Sequence, residues 1–343
     1  MANQLVKMKI VRTDSELQTP VIDSTLRQEG HELILLSESV SEQQLCEAVK
    51  ECDILLMCYT PVTKEVIEAA PKLKAIIKYG VGIDAIDIPV ARARGIVVVN
   101  VPEYAEQTVA EGAFAMLIAL AKKIPMLHSQ MQTKGWAWPE QQWLGLDLSR
   151  KTIGIVGCGK IGASMARITA KGFGMRVLGY DPGKTSTELA DCGIQKIDDL
   201  NSMLAQCDFI SLHAVLNDDT RYLIGPGQFS VMKPTAIFIN SARGALVDEL
   251  ALLAALENKQ IAGAGLDVYS IEPLNRTDHP LRQLFRMDNV LLFPHLTFYT
   301  REAMARLEED VLERCAEIIT GKPVIIRSKD PRLQDQAGLV RYL

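Results

Sequence analysis

The chain has no long block of lysine and arginine, no apolar run of membrane-spanning length and no C-x-x-C pair. Its 37 Lys and Arg against 42 Asp and Glu leave a net charge of −5. That balance gives no electrostatic footprint for nucleic acid or for an anionic membrane. The longest strongly apolar stretch, Gly112–Ala121, stops at Lys122, well short of the ~20 residues a bilayer helix needs. The opening residues, Met-Ala-Asn-Gln-Leu-Val-Lys, lack the apolar core of a signal peptide. The seven cysteines (Cys46, Cys52, Cys58, Cys158, Cys192, Cys207 and Cys315) are odd in number and scattered. They predict no metal site and no disulfide framework, and they suit a reduced cytoplasm. Internal repeats and low-complexity segments are absent from the sequence.

What is present is alternation. Short β-rich runs at Lys9–Val11, Leu33–Leu36, Ile54–Met57, Ala75–Ile77 and Val97–Val99 are separated mostly by helix-length segments. Such a series predicts a parallel sheet covered on both faces. A second series follows at Ile153–Val156, Val177–Tyr180, Phe209–Leu212, Ala236–Ile239, Gly263–Leu266 and Val290–Phe293. Six runs with crossovers predict a complete dinucleotide-binding sheet. Between the two series, the apolar pattern from Ala105 to Met131 predicts one long helix, buried between lobes or against another subunit. A further helix is predicted from Tyr299 to Thr320, stopped by Gly321-Lys322-Pro323. The polar end, Arg327 to Leu343, is expected to be partly mobile.

The second series opens with a glycine motif, Gly157-Cys158-Gly159-Lys160-Ile161-Gly162, between a strand and a helix. Gly157 permits the tight turn, Gly159 lets backbone approach a pyrophosphate, and Gly162 lets helix pack on strand. The helix N-terminus would offer free N–H groups to the phosphates. Asp181 ends the next strand about 20 residues on, where a carboxylate receives the adenine ribose hydroxyls. A negative group there favours NAD over NADP, although Lys184 close by works against that preference. The Cys158 backbone, rather than its sulfur, is what such a loop uses.

Ligands in open α/β sheets bind beyond the carboxyl ends of the strands. The residues just past those ends are His213, Asn240-Ser241-Ala242-Arg243, Asp267 and His295. His295 can exchange a proton near neutral pH. Glu272 can hydrogen-bond its imidazole and fix the tautomer. Arg243 offers a planar fork for a carboxylate or carbonyl oxygen.

With these residues in view, the sequence resembles the D-isomer-specific 2-hydroxyacid dehydrogenases over about residues 50–325. The shared segments are Val81-Gly82-Ile83-Asp84 with Asn100-Val101-Pro102, Thr108-Val109-Ala110-Glu111, the glycine loop, Asn240-Ser241-Ala242-Arg243-Gly244, Leu266-Asp267-Val268-Tyr269 with Glu272-Pro273, and Pro294-His295. The resemblance implies an α/β protein of two doubly wound parallel-sheet lobes. One would be a Rossmann NAD-binding domain over 105–297. The other would be a discontinuous flavodoxin-like substrate domain over 1–104 and 298–343. It implies Arg243 as substrate clamp, Glu272 as partner of the catalytic His295, and Asp267 at the nicotinamide end. Lys160 and Ile161 would touch the pyrophosphate, Ser241 and Ala242 would line the nicotinamide pocket, and the Val81 and Gly82 backbone would receive the substrate carboxylate. It also implies a homodimer formed through the cofactor lobe, which the apolar Ala105–Ala121 segment fits.

The substrate is less legible. Met57-Cys58-Tyr59-Thr60-Pro61 holds no arginine where phosphoglycerate-using relatives often place them. The short tail after Lys322 predicts no C-terminal regulatory domain. Phe298-Tyr299-Thr300, with Tyr79 and Tyr104, suits a pocket for a small unphosphorylated 2-oxo acid, the alternative being that these aromatics only pack the lobe interface. Trp136, Trp138 and Trp143 are read as core packing, the alternative being that one of them reaches the cleft of a partner subunit. Two other readings share the motifs: a non-catalytic NAD(H)-sensing protein of corepressor type, and a relative with an unusual substrate such as phosphite.

Overall fold

The computed structural model describes residues 7–343, so the signal-peptide reading of the first residues lies largely outside the described residues. Two compact units divide the chain. One ends at Ala105 and resumes at Thr300, and the other is Glu106–Tyr299.

The first unit carries a five-stranded parallel sheet of β1 (Lys9–Arg12), β2 (Glu32–Leu35), β3 (Ile54–Met57), β4 (Ala75–Lys78) and β5 (Val97–Asn100), in the order β2-β1-β3-β4-β5. That is the flavodoxin-like order. Every residue of β3, β4 and β5 is buried, as continuous Val/Ile/Leu runs covered on both faces should be.

The second unit carries seven parallel strands: β6 (Thr152–Val156), β7 (Arg176–Tyr180), β8 (Gln195–Lys196), β9 (Phe209–Leu212), β10 (Ile237–Asn240), β11 (Gly263–Leu266) and β12 (Val290–Leu292). Their order is β12-β11-β10-β9-β6-β7-β8. The order reverses at β6, and that switch point opens a crevice at the strand ends. The two-residue β8 was not legible as a strand in the sequence. Alternation along the strands feeds two cores. Val156, Ile210, Leu212 and Phe238 enter one, while Ile153, Ile155, Phe209, Ile237 and Ile239 enter the other.

Three expectations are corrected. The segment 105–131 forms two helices, Glu106–Ala121 and Ile124–Lys134, with Lys123 between them at φ +55°. Pro125 explains the break, because it lacks an N–H and disfavours helical backbone before it. The first of these helices packs on its own sheet through Ala110, Ala113, Met116 and Leu117, whereas the second buries no residue. The tail after Arg327 is docked, not loose. Arg92 donates to the Arg332 and Gln334 carbonyls at 2.8 Å. The Gln336 amide pairs with both Val98 N and Val98 O on the edge strand β5, which satisfies backbone groups an edge leaves open. A small parallel pair, β13 (Val324–Ile326) and β14 (Val340–Tyr342), completes the tail. Finally, Trp136 and Trp138 are exposed at 59% and 74%, so they are not core residues.

Candidate active site

The glycine loop follows β6 and leads into the helix Lys160–Arg167. Gly157 sits at φ +87°, and a Cβ there would lie 2.5 Å from the Ala214 backbone. A Cβ on Gly162 would lie 2.3 Å from the Gly157 carbonyl oxygen. Both positions therefore exclude a side chain. Gly159, the N-cap, is different, because nothing lies within 4 Å of where its Cβ would be. The two outer glycines are filled by protein and the middle one faces open space, which is the arrangement a pyrophosphate needs. Lys160 pairs with Glu106 at 3.0 Å. Ile161 follows it in the first turn and packs against the core.

Asp181 stands after β7. Its carboxylate accepts from the Cys158 amide at 2.9 Å and from the Gly183 amide at 3.0 Å, so it is fixed beside the loop it would serve. Lys184 pairs with Glu188 at 3.2 Å, which blunts its appeal to a 2′-phosphate. Burial pushes the Cys158 thiol up to about 12, leaving it unreactive.

At the end of β9, the His213 ring lies 2.8 Å from Ser211 Oγ, and burial pushes its pKa down to about 4. Its Nδ1 and the hydroxyl of Ser241 are shielded polar atoms without a partner. Polar groups of this kind call for a ligand or water, and both lie at the edge where a cofactor would sit.

After β10 the chain turns tightly. The side chain of buried Asn240 donates to the Arg243 carbonyl at 2.9 Å and accepts from the Ala242 amide at 3.0 Å. Gly244 passes so close to Tyr269 and Ser270 that a Cβ would lie 2.1 Å from their backbone. This locks the Ser241–Arg243 turn, and the Arg243 guanidinium donates to the Ala242 carbonyl at 2.7 Å. In the sequence Asn240 is a motif residue without a role of its own, since only the fold shows the amide turning back on its own loop.

His295 Nδ1 lies 2.8 Å from Glu272 Oε2. Burial pushes the Glu272 carboxyl up, but the His295 hydrogen bond and charge, the Tyr269 amide and the charge of Arg243 outweigh it, so its pKa is lowered overall. Glu272 is thus a carboxylate near neutral pH, within the electrostatic reach of both basic residues. Asp267 is buried, and its oxygens accept from Leu296 N at 2.8 Å, Thr297 N at 3.2 Å and the Thr297 hydroxyl at 2.5 Å. In this structure Asp267 grips the chain just after His295. Phe298 is buried and sets its ring edge-on to the His295 ring, 6.5 Å between centroids.

In the first unit, Val81 is exposed on the loop after β4, and its carbonyl accepts from Asn100 Nδ2 at 2.6 Å. Gly82 follows it, half-buried. Tyr79 corrects an expectation: it is fully buried, and its hydroxyl donates to the Thr13 carbonyl at 2.5 Å. It belongs to the core. Tyr104 is buried too, and Tyr299 is exposed. Among the described residues no cluster of His, Cys, Asp and Glu could hold a metal, and no helix is long and apolar enough to cross a membrane.

Residues 114–297 match the family described as D-isomer specific 2-hydroxyacid dehydrogenase, NAD binding domain. A glyoxylate reductase of Korarchaeum cryptofilum is 41% identical over 276 residues, 80% of this chain and 81% of that protein. A D-3-phosphoglycerate dehydrogenase of Synechocystis sp. is 41% identical over 285 residues, 83% of this chain but only 50% of that protein. Among solved structures, a D-lactate dehydrogenase from Aquifex aeolicus, complexed with NAD and lactic acid, superposes with a TM-score of 0.80 at 28% identity, covering 91% of this chain and 96% of that one.

Proposed function

This chain belongs to the D-isomer-specific 2-hydroxyacid dehydrogenases, and from that premise we propose that it reduces a small unphosphorylated 2-oxo acid to the D-2-hydroxy acid with His295, Glu272 and Arg243. It is an NAD-dependent oxidoreductase of that family. The observation that carries the residue assignment is the 2.8 Å pairing of His295 with Glu272 on the strand edge where Arg243 also emerges.

The glycine loop, Asp181, His213, Ser241 and Ala242 fit the cofactor, and the open space over Gly159 with the unpartnered Ser241 hydroxyl supports that fit. Bound NAD(H) supplies or accepts the hydride at C2 of the substrate. Arg243 holds the substrate by its carbonyl or carboxylate oxygen. Glu272 occupies Nδ1 of His295, which assigns Nε2 to the reacting oxygen. In reduction Nε2 donates a proton to the alkoxide forming at C2, and in oxidation it removes the proton from the hydroxyl. Glu272 steadies the charged imidazole in either direction. Asp267 is a positioning group for this histidine. Val81 and Gly82 are proposed as receptors of the substrate carboxylate from the family motif alone.

The substrate role falls to the first unit and the cofactor role to the second. A homodimer is proposed on the half-buried Phe114, Ile118 and Leu120 of the Glu106–Ala121 helix. A cytoplasmic location is proposed on the seven cysteines, all free.

The test is NADH oxidation against glyoxylate, hydroxypyruvate, pyruvate, phenylpyruvate, 2-ketogluconate and 3-phosphohydroxypyruvate. One unphosphorylated acid with kcat/KM above about 10⁴ M⁻¹s⁻¹ supports the reading. Tight NADH binding with uniformly feeble turnover would replace it with a sensor or with an unusual substrate.

A further inference from the structure

Glu272 sits on an exposed segment that a buried histidine fastens. Among the described residues from Ser270 to Pro280, His279 alone is buried. Both of its ring nitrogens are engaged. Nδ1 accepts from the Leu281 amide at 3.0 Å, and Nε2 lies 2.9 Å from the Ile271 carbonyl oxygen. An amide needs an acceptor and a carbonyl needs a donor, so the hydrogen belongs on Nε2 and the ring is neutral. The carbonyl it meets is part of the peptide unit that joins Ile271 to Glu272. The imidazole therefore grips the backbone from which the Glu272 side chain starts.

The segment is held from its other side as well. The Ser270 amide donates to Glu249 Oε1 at 2.9 Å, at the start of the helix Glu249–Glu257. Asn275 closes the turn that returns the histidine to Ile271. Its Oδ1 accepts from the Thr277, Asp278 and His279 amides at 3.0, 3.1 and 3.3 Å. Packing does not share this task at Ile271, whose side chain is exposed. Glu272 commits Oε1 to the Tyr269 amide at 2.9 Å and Oε2 to His295 Nδ1 at 2.8 Å. With both oxygens engaged, a displacement of the Glu272 backbone is passed directly to the imidazole of His295.

We propose that His279 is a positioning residue for the acid/base pair, acting through the Ile271–Glu272 peptide to keep Glu272 Oε2 on His295 Nδ1. This rests on the dehydrogenase reading. His279 touches neither substrate nor cofactor in this role. Its effect is on the chemical step, because a catalytic group misplaced by about 1 Å costs on the order of 10²-fold in rate. A catalytic pair on an exposed loop needs such support from locked side chains behind it.

The experiment measures kcat, KM and NADH affinity in His279→Asn and His279→Gln, with the fastest of the six acids above as substrate. Asparagine keeps an acceptor for the Leu281 amide but is too short to reach the Ile271 carbonyl, whereas glutamine carries a donor out to it. His279→Asn should lower kcat by about 10-fold or more, with KM and the Kd for NADH within about 3-fold of wild type. His279→Gln should restore most of that loss. In a Glu272→Gln background the same His279→Asn change should cost less than about 3-fold, because the carboxylate it positions is gone. If His279→Asn does not fold, as judged by Tm and NADH binding, Asn275→Ala loosens the same turn from an exposed position. It should lower kcat by a smaller factor and lose that effect in the Glu272→Gln background. Wild-type kcat in the tested variant, or an equal loss with and without the Glu272 carboxylate, overturns the role of His279 and leaves the dehydrogenase reading intact. A wild type that reduces no 2-oxo acid overturns both.

Discussion

Asp267 holds the two residues after His295, accepting from the Leu296 and Thr297 amides and from the Thr297 hydroxyl, while His295 itself sits in the left-handed region at φ +57°. Such backbone is strained for a residue with a side chain by about 1–3 kcal/mol, and it persists where the surroundings over-determine it. The grip of Asp267 supplies that restraint and leaves His295 Nδ1 on Glu272. Asp267→Asn replaces an acceptor with a donor against three donors. We expect a stability loss of about 1–3 kcal/mol in urea unfolding together with lowered kcat. An Asn variant with wild-type kcat would remove Asp267 from the positioning of the histidine.

His295→Ala and Glu272→Gln address the proton step itself. Each should lower kcat/KM by about 10²–10⁴-fold while NADH affinity, followed by nicotinamide fluorescence, changes little. The loss in Glu272→Gln should be smaller than in His295→Ala, because the imidazole remains. Full activity in either variant would move the acid/base role elsewhere.

The glycines of the phosphate loop should separate folding from binding. Gly162→Ala places a methyl 2.3 Å from a backbone oxygen, so Tm should fall and NADH binding should be lost with it. Gly159→Ala adds its methyl to open space. Its Tm should stay near that of the wild type while the Kd for NADH rises at least 10-fold. Equal NADH affinity in Gly159→Ala and wild type would show that no phosphate approaches that backbone.

The choice of cofactor turns on Asp181. We expect NADH to be preferred over NADPH, and Asp181→Asn to narrow that preference by about 10-fold, since the like-charge repulsion of a 2′-phosphate is removed. Asn retains an oxygen for the Cys158 amide, so Tm serves as the control. An unchanged NADH/NADPH ratio would assign the discrimination to another group.

Stability should depend on pH through His213. Burial pushes its pKa down to about 4 in the folded protein, against about 6.5 when unfolded. Between these values the unfolded chain binds a proton that the folded chain does not. Its contribution is therefore full above pH ~6.5 and is lost as the pH falls towards 4. His213→Gln should weaken the loss of stability between pH 7 and 4.5 by about 2 kcal/mol, read from urea midpoints. Parallel pH profiles for variant and wild type would refute this.

Much of the protein was written in its sequence. Runs such as Ile54–Met57 and Phe209–Leu212 are strands because β-rich apolar stretches between helical segments have few other solutions. The glycine loop was legible because its spacing encodes a steric need, and Pro294-His295 with Glu272-Pro273 stood just past strand ends. The rest depended on distance between residues far apart in the chain. That Asn240 folds back on its own turn, that Gln336 caps the edge strand β5, and that Tyr79 is core and Trp138 is exposed are tertiary facts. Sequence periodicity reports which face of an element is apolar. Which polar atom is left without a partner once those faces have packed is decided by the tertiary structure, because burial removes the water that would otherwise satisfy it.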